Sequence, residues 1–125
     1  YDTVEADIYD YKAPTPMDFI FFGFWLSHVP QSHFERFWDT VRSALKPNGR
    51  GYFVDAQFQP EALARDVPHP ENDHAERRLN DGRTFRIIKR FYEPRNLEST
   101  LETLGFKATV KATPSFFIHG SFELA

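Results

Sequence analysis

The side chains of this chain whose chemistry is of interest are its acids, histidines and arginines. Its 125 residues include no cysteine. That absence excludes disulfides, thiolate nucleophiles and zinc sites built on cysteine. His69, Asp73 and His74 have the residue types of a metal site but no recognised ligand spacing, and they lie in a proline-rich stretch. We therefore expect no metal site.

Three further residues could contact a ligand. His28 follows an apolar run, where it could orient a substrate or accept its proton, or could instead be a structural residue that caps the next helix. His119 lies in a strand-like run and is a weaker candidate for a substrate contact. Asp7 lies near the end of a short strand-like stretch, where its carboxylate could accept a hydrogen bond or cap a turn.

A basic cluster surrounds the dipeptide Asp81-Gly82, which predicts a β-hairpin over residues 76–92. These side chains could contact phosphate, or could be a solvated face that protects an edge strand. Because the net charge is −3, we expect the second role and no nucleic-acid partner. If nucleic acid did bind, alanine at Arg86 and Arg90 should weaken it. The cluster consists of Arg77, Arg78, Arg83, Arg86, Lys89 and Arg90.

The elements that must position these residues begin with a strand, a helix and a second strand. Residues 19–26 are an apolar run of strand length, and residues 51–55 are another. Between them, Ser32 and Glu35 have the spacing of a capping box, and the sequence KPNG at 46–49 predicts the helix end. Such a unit is a parallel βαβ motif, whose sheet is covered on both faces. The predicted apolar stripe of the helix is Phe34, Phe37, Trp38, Val41 and Leu45.

The rest of the chain predicts shorter elements. Residues 3–8 read as a short strand, and residues 56–75 as a proline-containing loop or lid. Pro94 begins a helix that carries Leu97, Leu101 and Leu104 and ends at Gly105. Residues 107–113 and 116–124 then predict two strands, the second interrupted by Gly120.

Composition indicates one globular domain, with 41% hydrophobic and 26% charged residues. No apolar run is long enough for a membrane span and no signal peptide is visible, so we expect a cytoplasmic protein without a membrane partner. Residue 1 is Tyr, which we interpret as the start of a fragment. The expected organisation is a single partial domain over residues 1–125, with residues 56–92 as an inserted loop and hairpin.

One stretch resembles a known family. The chain reads DFIFF at 18–22, LSHV at 26–29 and LKPNGRGYFVD at 45–55, and this order is similar to class I S-adenosylmethionine-dependent methyltransferases. Asn48 replaces the first glycine of the family's usual pair. The resemblance implies an α/β fold: an incomplete Rossmann-like sheet with the third to seventh strands, mostly parallel, with an antiparallel carboxyl-terminal pair and an inserted β-hairpin.

The resemblance also implies roles for particular residues, with S-adenosylmethionine as the cofactor. Asp7 and Ile8 would contact adenine, and Phe22 and Gly23 the methionyl end, although Phe22 could instead be part of the core. Trp25, His28 and His119 would contact the methyl acceptor. No catalytic residue is assigned, because transfer from an activated sulfonium depends mainly on proximity and orientation.

Two elements of the family are missing from the sequence: the glycine-rich loop after the first strand and the acidic residue that ends the second. The only G-x-G, at Gly49 and Gly51, follows a helix instead of a strand. We therefore expect a truncated part of an enzyme that methylates a small molecule, and we expect this part alone to be inactive. The alternative is a catalytically inactive, methyltransferase-like dimerisation or binding module, and a homodimer is expected if the chain stands alone.

Overall fold

The computed structural model describes residues 2–57, 66–68 and 74–125, with the backbone alone described at 66–68, 74–78 and 85–87. Two 3₁₀ turns, Leu26–His28 and Gln31–His33, lie between the first strand and the first helix. The elements in chain order are β1 (Met17–Gly23), α1 (Phe34–Ala44), β2 (Leu45–Ala56), β3 (Asp66–Pro68), β4 (His74–Arg78), β5 (Thr84–Ile88), α2 (Pro94–Thr103), β6 (Phe106–Ala112) and β7 (Phe117–Leu124).

The main sheet has the strand order β1-β2-β7-β6. β1 pairs with β2 in parallel, as expected for a βαβ unit, and the β2–β7 and β6–β7 ladders are antiparallel. The predicted α/β class and antiparallel carboxyl-terminal pair are confirmed. Parallel pairing is limited to the β1–β2 ladder among the described strands, so this part of the sheet is mixed.

The predicted capping box of α1 is wrong. The helix begins one 3₁₀ turn later than expected, its N-cap is His33, and no side chain caps it. Ser32 Oγ instead lies 2.9 Å from His33 Nδ1. The local histidine competes for the hydroxyl that a capping box would use.

The apolar stripe of α1 is confirmed, but its last residue belongs to the next strand. Leu45 is buried and already extended, and it pairs with Met17 of β1. The predicted break at residues 46–49 is an irregularity in the β1–β2 ladder, since the next paired residue of β2 is Arg50. The stripe residues on the helix, all buried, are Phe34, Phe37, Trp38 and Val41.

Aromatic rings fill the space between the sheet and the two α-helices. The Trp38 ring centroid lies 5.1 Å from those of both Phe106 and Phe122, in edge-to-face geometry. Gly51 of β2 is directly paired with Phe122 of β7. β7 runs continuously through Gly120, where the sequence predicted an interruption, because the Phe53 ring occupies the space that a side chain would need.

The hairpin predicted at Asp81-Gly82 is confirmed. β4 and β5 are antiparallel, Gly82 has a φ of +89°, and Asp81 Oδ1 accepts a hydrogen bond from the Arg83 amide at 3.0 Å. Part of the predicted loop at 56–75 differs, because β3 adds a third strand to this small sheet and β4 begins at His74. Residues 58–65 and 69–73, including His69 and Asp73, lie outside the described residues.

The strand predicted over residues 3–8 is wrong. Residues 2–7 have no regular structure, and residues 8–10 form a turn. A strand needs a hydrogen-bonding partner, and among the described strands β1 pairs on one side only, with β2. The turn that follows lies against α1, where the Thr40 hydroxyl donates to the Tyr9 carbonyl at 3.4 Å and Arg36 forms an ion pair with Asp10.

The carboxyl-terminal elements agree with the prediction. Pro94 occupies the first turn of α2, the Glu93 carboxylate accepts from the Asn96 amide at 2.9 Å, and Gly105 has a φ of +90° at the helix end. No helix in the described ranges is long and apolar enough to cross a membrane.

Candidate functional site

The candidate site lies where β1 ends, since ligands of open α/β sheets bind beyond the carboxyl ends of the strands. Phe24, the first residue after β1, has a φ of 55°, a region that L-residues other than glycine rarely adopt. Its amide donates to the Val54 carbonyl at 2.8 Å, while its side chain is half exposed. This strained residue turns the chain out of the sheet and into the 3₁₀ turn that carries His28.

A buried carboxylate holds that turn. Asp55, at the end of β2, is 1% exposed, and its Oδ2 accepts a hydrogen bond from the Ser27 amide at 2.7 Å. Its Oδ1 accepts from the Ala56 amide, also at 2.7 Å. Sequence reasoning identified Asp55 only as the end of a strand. The pattern that could have identified Asp55 is an acidic residue directly after a buried apolar run.

His28 does not cap α1, which was its alternative role. Its Nδ1 lies 2.6 Å from the carbonyl oxygen of Ile88, at the end of β5. Next to it, the Arg90 amide donates to the Ser27 carbonyl at 2.7 Å. The hairpin therefore packs against the turn and fixes the imidazole of His28.

An apolar cavity of about 440 Å³ lies between the amino-terminal segment, β1 and α1. It brings together three of the residues singled out from the sequence, namely Ile8, Phe22 and Trp25. The Tyr9 and Trp25 ring centroids are 6.4 Å apart, and Trp25 Nε1 is buried with no hydrogen-bond partner in the described part of the chain. A cavity of this size and lining is typical of a site for a small molecule with a flat ring.

Phe22 also belongs to the core. Its ring stacks on Phe53 with centroids 5.7 Å apart and meets Phe37 edge to face at 5.2 Å. The Phe22 ring thus belongs both to the aromatic core between the sheet and the helices and to the wall of the cavity. Gly23, the neighbouring cofactor candidate, is exposed at the end of β1 and does not line that cavity.

Asp7 is exposed at the start of the amino-terminal turn. Its Oδ1 accepts a hydrogen bond from the Tyr9 amide at 2.9 Å, and its carbonyl accepts from the Asp10 amide at 3.0 Å. This is the turn-capping geometry that the sequence left as the alternative. The contact with adenine stays a prediction, and the second carboxylate oxygen is suited to accept from an amine.

Tyr9 links this turn to the cavity wall, and its hydroxyl is electrostatically perturbed. Burial raises the pKa of the phenol above its ordinary value of 10.0, and the negative charge of Asp7 raises it further. Both effects disfavour the phenolate. Tyr9 therefore contributes a neutral ring to the site.

His119 lies on the other face of the sheet from α1. In β7 it pairs with Val54 and Lys111, and its ring is 5.9 Å from that of Tyr52. Trp25 instead contacts Phe37 of α1, with centroids 6.2 Å apart. Of the three predicted acceptor contacts, Trp25 and His28 flank the end of β1, and His119 is on the open face.

That open face carries a groove of about 400 Å³. One cross-strand row places Arg50, Glu123 and Lys107 side by side on neighbouring strands. Aromatic residues extend from this row, with Phe19 59% and Phe21 57% exposed. This surface is called the aromatic face below, and it comprises Phe19, Phe21, Tyr52 and Phe117.

The remaining charged candidates do not form a ligand site in the described part of the chain. Arg83 pairs with Asp81, and the Arg90 guanidinium lies 4.9 Å from the Tyr92 ring centroid. The side chains of Arg77, Arg78 and Arg86 lie outside the described residues. No group of three or more histidines or acids that could hold a metal occurs within the described ranges.

No family model matches the chain, and no curated protein matches it. Among solved structures, a complex of DhpI with SAM and HEP has a TM-score of 0.81 and 34% identity, over 96% of this chain and 56% of that one. DhpI with SAH has a TM-score of 0.76 at 34% identity, over 98% and 54%.

A more distant structure supports the fold alone. The S-adenosylmethionine-dependent methyltransferase from Clostridium acetobutylicum has a TM-score of 0.68 and 13% identity, over 96% of this chain and 63% of its own. The chain spans about half the length of DhpI, to which it is 34% identical. The resemblance noted in the sequence is confirmed: over the part that it spans, the chain has the fold of the class I S-adenosylmethionine-dependent methyltransferases.

Proposed function

We propose that this chain is part of an enzyme that transfers a methyl group from S-adenosylmethionine to a small-molecule acceptor. The observation that carries the proposal is the apolar cavity beside β1, lined by Ile8, Phe22 and Trp25, in a chain that is 34% identical to a methyltransferase-fold protein solved with SAM and SAH. The cofactor expected from the sequence is the one named for those structures.

The residues present fit the base and the methionyl part of the cofactor. The cavity offers flat apolar walls, and Trp25 supplies a buried N–H without a partner in the described residues. Asp7 and Ile8 would contact adenine, and Phe22 and the exposed backbone of Gly23 the methionyl end. Groups that hold the ribose are expected from a glycine-rich loop and an acid that this sequence does not contain.

When bound, S-adenosylmethionine supplies a methyl group on a sulfonium that needs no further activation. The chain's own residues would therefore bind the cofactor, orient the acceptor and exclude water. Trp25 would form the wall against the acceptor, and His28 would hold the acceptor's polar group. His119 would contact it only if the acceptor extends over the open face of the sheet.

Calorimetric titration with S-adenosylmethionine tests the proposal. We expect saturable but weak binding, because the groups that hold the ribose are not in this sequence, and at least a tenfold loss of affinity in Asp7→Ala, about what removing one charge-assisted hydrogen bond costs. Asp2→Ala removes the same charge from an exposed position before the turn and should bind normally. Equal affinity of the two variants would contradict the role of Asp7, and no binding by the parent chain would contradict cofactor binding by this part of the fold.

The second candidate is a binding module that associates with another copy of itself. The aromatic face favours it, because sheets of this class are covered on both faces, whereas Phe19 and Phe21 here are more than half exposed. The row of Arg50, Glu123 and Lys107 carries both signs of charge, as a self-complementary contact requires. Association without cofactor binding would favour this candidate over the enzyme.

A further inference from the structure

Among the described strands, β1 and β6 form the two edges of the main sheet, and their sequences differ. β6 carries Lys107 and Lys111, and lysine is one of the residues by which natural edge strands resist pairing with another chain. β1 contains no lysine and no proline, and its ladder with β2 is regular over residues 19–23. Its one charged residue, Asp18, forms an ion pair with Lys46 of β2. β1 therefore lacks the protection that the opposite edge has.

Every second residue of β1 turns its backbone donor and acceptor away from β2. The amide of Phe24, directly after the strand, donates to the Val54 carbonyl at 2.8 Å, and hydrogen-bonding direction alternates along the regular ladder before it. No described strand pairs on the outer side of β1. Backbone groups on that side can be satisfied by water or by another extended chain. The residues whose backbone groups face the outer side are Phe19, Phe21 and Gly23.

The side of β1 that faces α1 is less covered than the same side of β2. Ile20 and Phe22 are partly buried, whereas their partners in the ladder, Gly51 and Phe53, are buried. The apolar cavity of about 440 Å³ follows this side and reaches Met17 at the amino end of the strand. Because its walls are apolar, side chains of the same kind suit the space better than water does.

We propose that the outer edge of β1 binds an extended segment of another protein, which adds a fifth strand to the four-stranded sheet. Peptides bind exposed sheet edges in this way: main-chain hydrogen bonds supply affinity, and pockets for alternate side chains supply specificity. The backbone of the segment would bond to that of Phe19 and Phe21. Its large apolar side chains, at alternate positions, would enter the cavity near Met17 and leave the end at Trp25 to the cofactor. This inference goes beyond the proposed function and does not depend on it.

A second copy of this chain would fill the edge less completely than such a segment. If two β1 strands paired, each copy would bring to the α1 side the residues that already line its own cavity, Ile20 and Phe22. Two cavities would then lie side by side, and neither would gain a side chain. A separate segment with leucine-sized side chains is therefore the occupant that fits both the backbone edge and the cavity.

Hydrogen exchange measured by NMR tests the edge with a synthetic probe, acetyl-Lys-Leu-Thr-Leu-Thr-Leu-Lys-amide. We expect the probe to slow exchange at the amides of Phe19 and Phe21 at least tenfold, because these amides gain a partner. The amides of Ile20 and Phe22, which face β2, are the control within the chain and should exchange slowly with and without the probe. A peptide with serine in place of each leucine keeps the length and the charge and should have no effect. Unchanged exchange at Phe19 and Phe21, or equal effects of the two peptides, would overturn the inference.

A matched pair of variants tests the backbone contact. Phe21→Pro removes an amide that faces the outer edge and keeps the bonds to β2, whereas Phe21→Ala removes the same ring and keeps that amide. In chains shown by circular dichroism to be folded, we expect the leucine peptide to bind Phe21→Pro about tenfold more weakly than Phe21→Ala in fluorescence anisotropy. Equal affinity of the two variants would contradict pairing at this edge.

The exchange measurement also distinguishes this partner from a second copy. Exchange at Phe19 and Phe21 that slows with rising chain concentration, in the absence of peptide, would overturn the inference in favour of self-pairing. A chain that binds the leucine peptide at this edge but binds no S-adenosylmethionine would contradict the proposed function alone.

Discussion

Tyr9, which contacts Trp25 of the cavity wall, shows how one residue makes stability depend on pH. Burial and the charge of Asp7 raise its pKa in the folded state above 10.0, so the folded chain holds the phenolic proton more tightly than the unfolded chain. The resulting stabilisation is fully present below the unfolded pKa and is lost as pH rises through the folded pKa. We expect stability to fall in this alkaline window, and to fall less in Tyr9→Phe.

The measurement is ultraviolet absorbance of tyrosinate during an alkaline titration, taken as the difference between the parent chain and Tyr9→Phe. Asp7→Asn should lower the Tyr9 midpoint, because it removes the second cause of the shift. Asp2→Asn, which removes a charge that does not act on Tyr9, should leave the midpoint unchanged. A Tyr9 that titrates at or below 10.0 would contradict the burial seen here.

Phe24 stores backbone strain at the exit from β1, and substitutions can isolate it. With a φ of 55°, a residue with a Cβ costs about 1–2 kcal/mol relative to glycine. Gly and Ala both remove the ring contact with Phe117, so their difference reports the backbone. We expect Phe24→Gly to be more stable than Phe24→Ala by about 1 kcal/mol in urea unfolding.

The matched control is Phe21, which is similarly exposed at 57% but lies within β1. There the order should reverse, since glycine in a strand is less stable than alanine by roughly 0.5–1 kcal/mol. The same order at both positions would mean that Phe24 does not adopt the left-handed conformation in solution.

At the scale of elements, the sequence predicted those parts that a local pattern defines. The stripe from Phe34 to Val41 packs on the sheet beside it, and Asp81-Gly82 closes a hairpin whose two strands are adjacent in sequence. A local pattern suffices for the helix because any apolar surface can cover its stripe, and for the hairpin because its two strands are adjacent in sequence.

The predictions that failed depended on distant groups. Residues 3–8 have strand-like composition but pair with no described strand. Asp55 and Ile88 reach the His28 turn only through the tertiary fold, across 28 residues to Ser27 and 60 residues to His28. No spacing rule connects such positions, and so the sequence singled out His28 without its partners.

Packing between β2 and β7 depends on the absence of a side chain at Gly51. A Cβ built on Gly51 would lie 2.0 Å from Phe122 Cζ, in the centre of the aromatic layer. Gly51→Ala must displace that buried ring, and we expect a loss of about 1–3 kcal/mol in urea unfolding. Gly23→Ala is the control, because its nearest neighbour is the Phe21 ring at 3.3 Å, which is exposed and can move.

A double-mutant cycle distinguishes this clash from other causes of instability. Phe122→Leu shortens the side chain opposite Gly51, so the combination with Gly51→Ala should cost less than the two single changes added together. Strict additivity would show that the ring and the glycine do not share the same space.

At the scale of the whole molecule, the two faces of the main sheet differ. One is covered by α1 and α2, and the other exposes the aromatic face. If two copies bury this face, association should depend on concentration, and light scattering should detect it. Phe19→Ser with Phe21→Ser should weaken it at least tenfold, since burying each ring contributes roughly 1.5–3 kcal/mol.

The control for this prediction is Val4→Ser with Leu79→Ser, which removes apolar surface of the amino-terminal segment and the hairpin, 62% and 36% exposed. It should associate like the parent, because it leaves the aromatic face intact. A parent chain that stays monomeric at all concentrations would contradict the binding module and leave methyl transfer as the proposed function. A dimer unaffected by the two serines would mean that another surface joins the copies, such as the edge of β1 that pairs with none of the described strands.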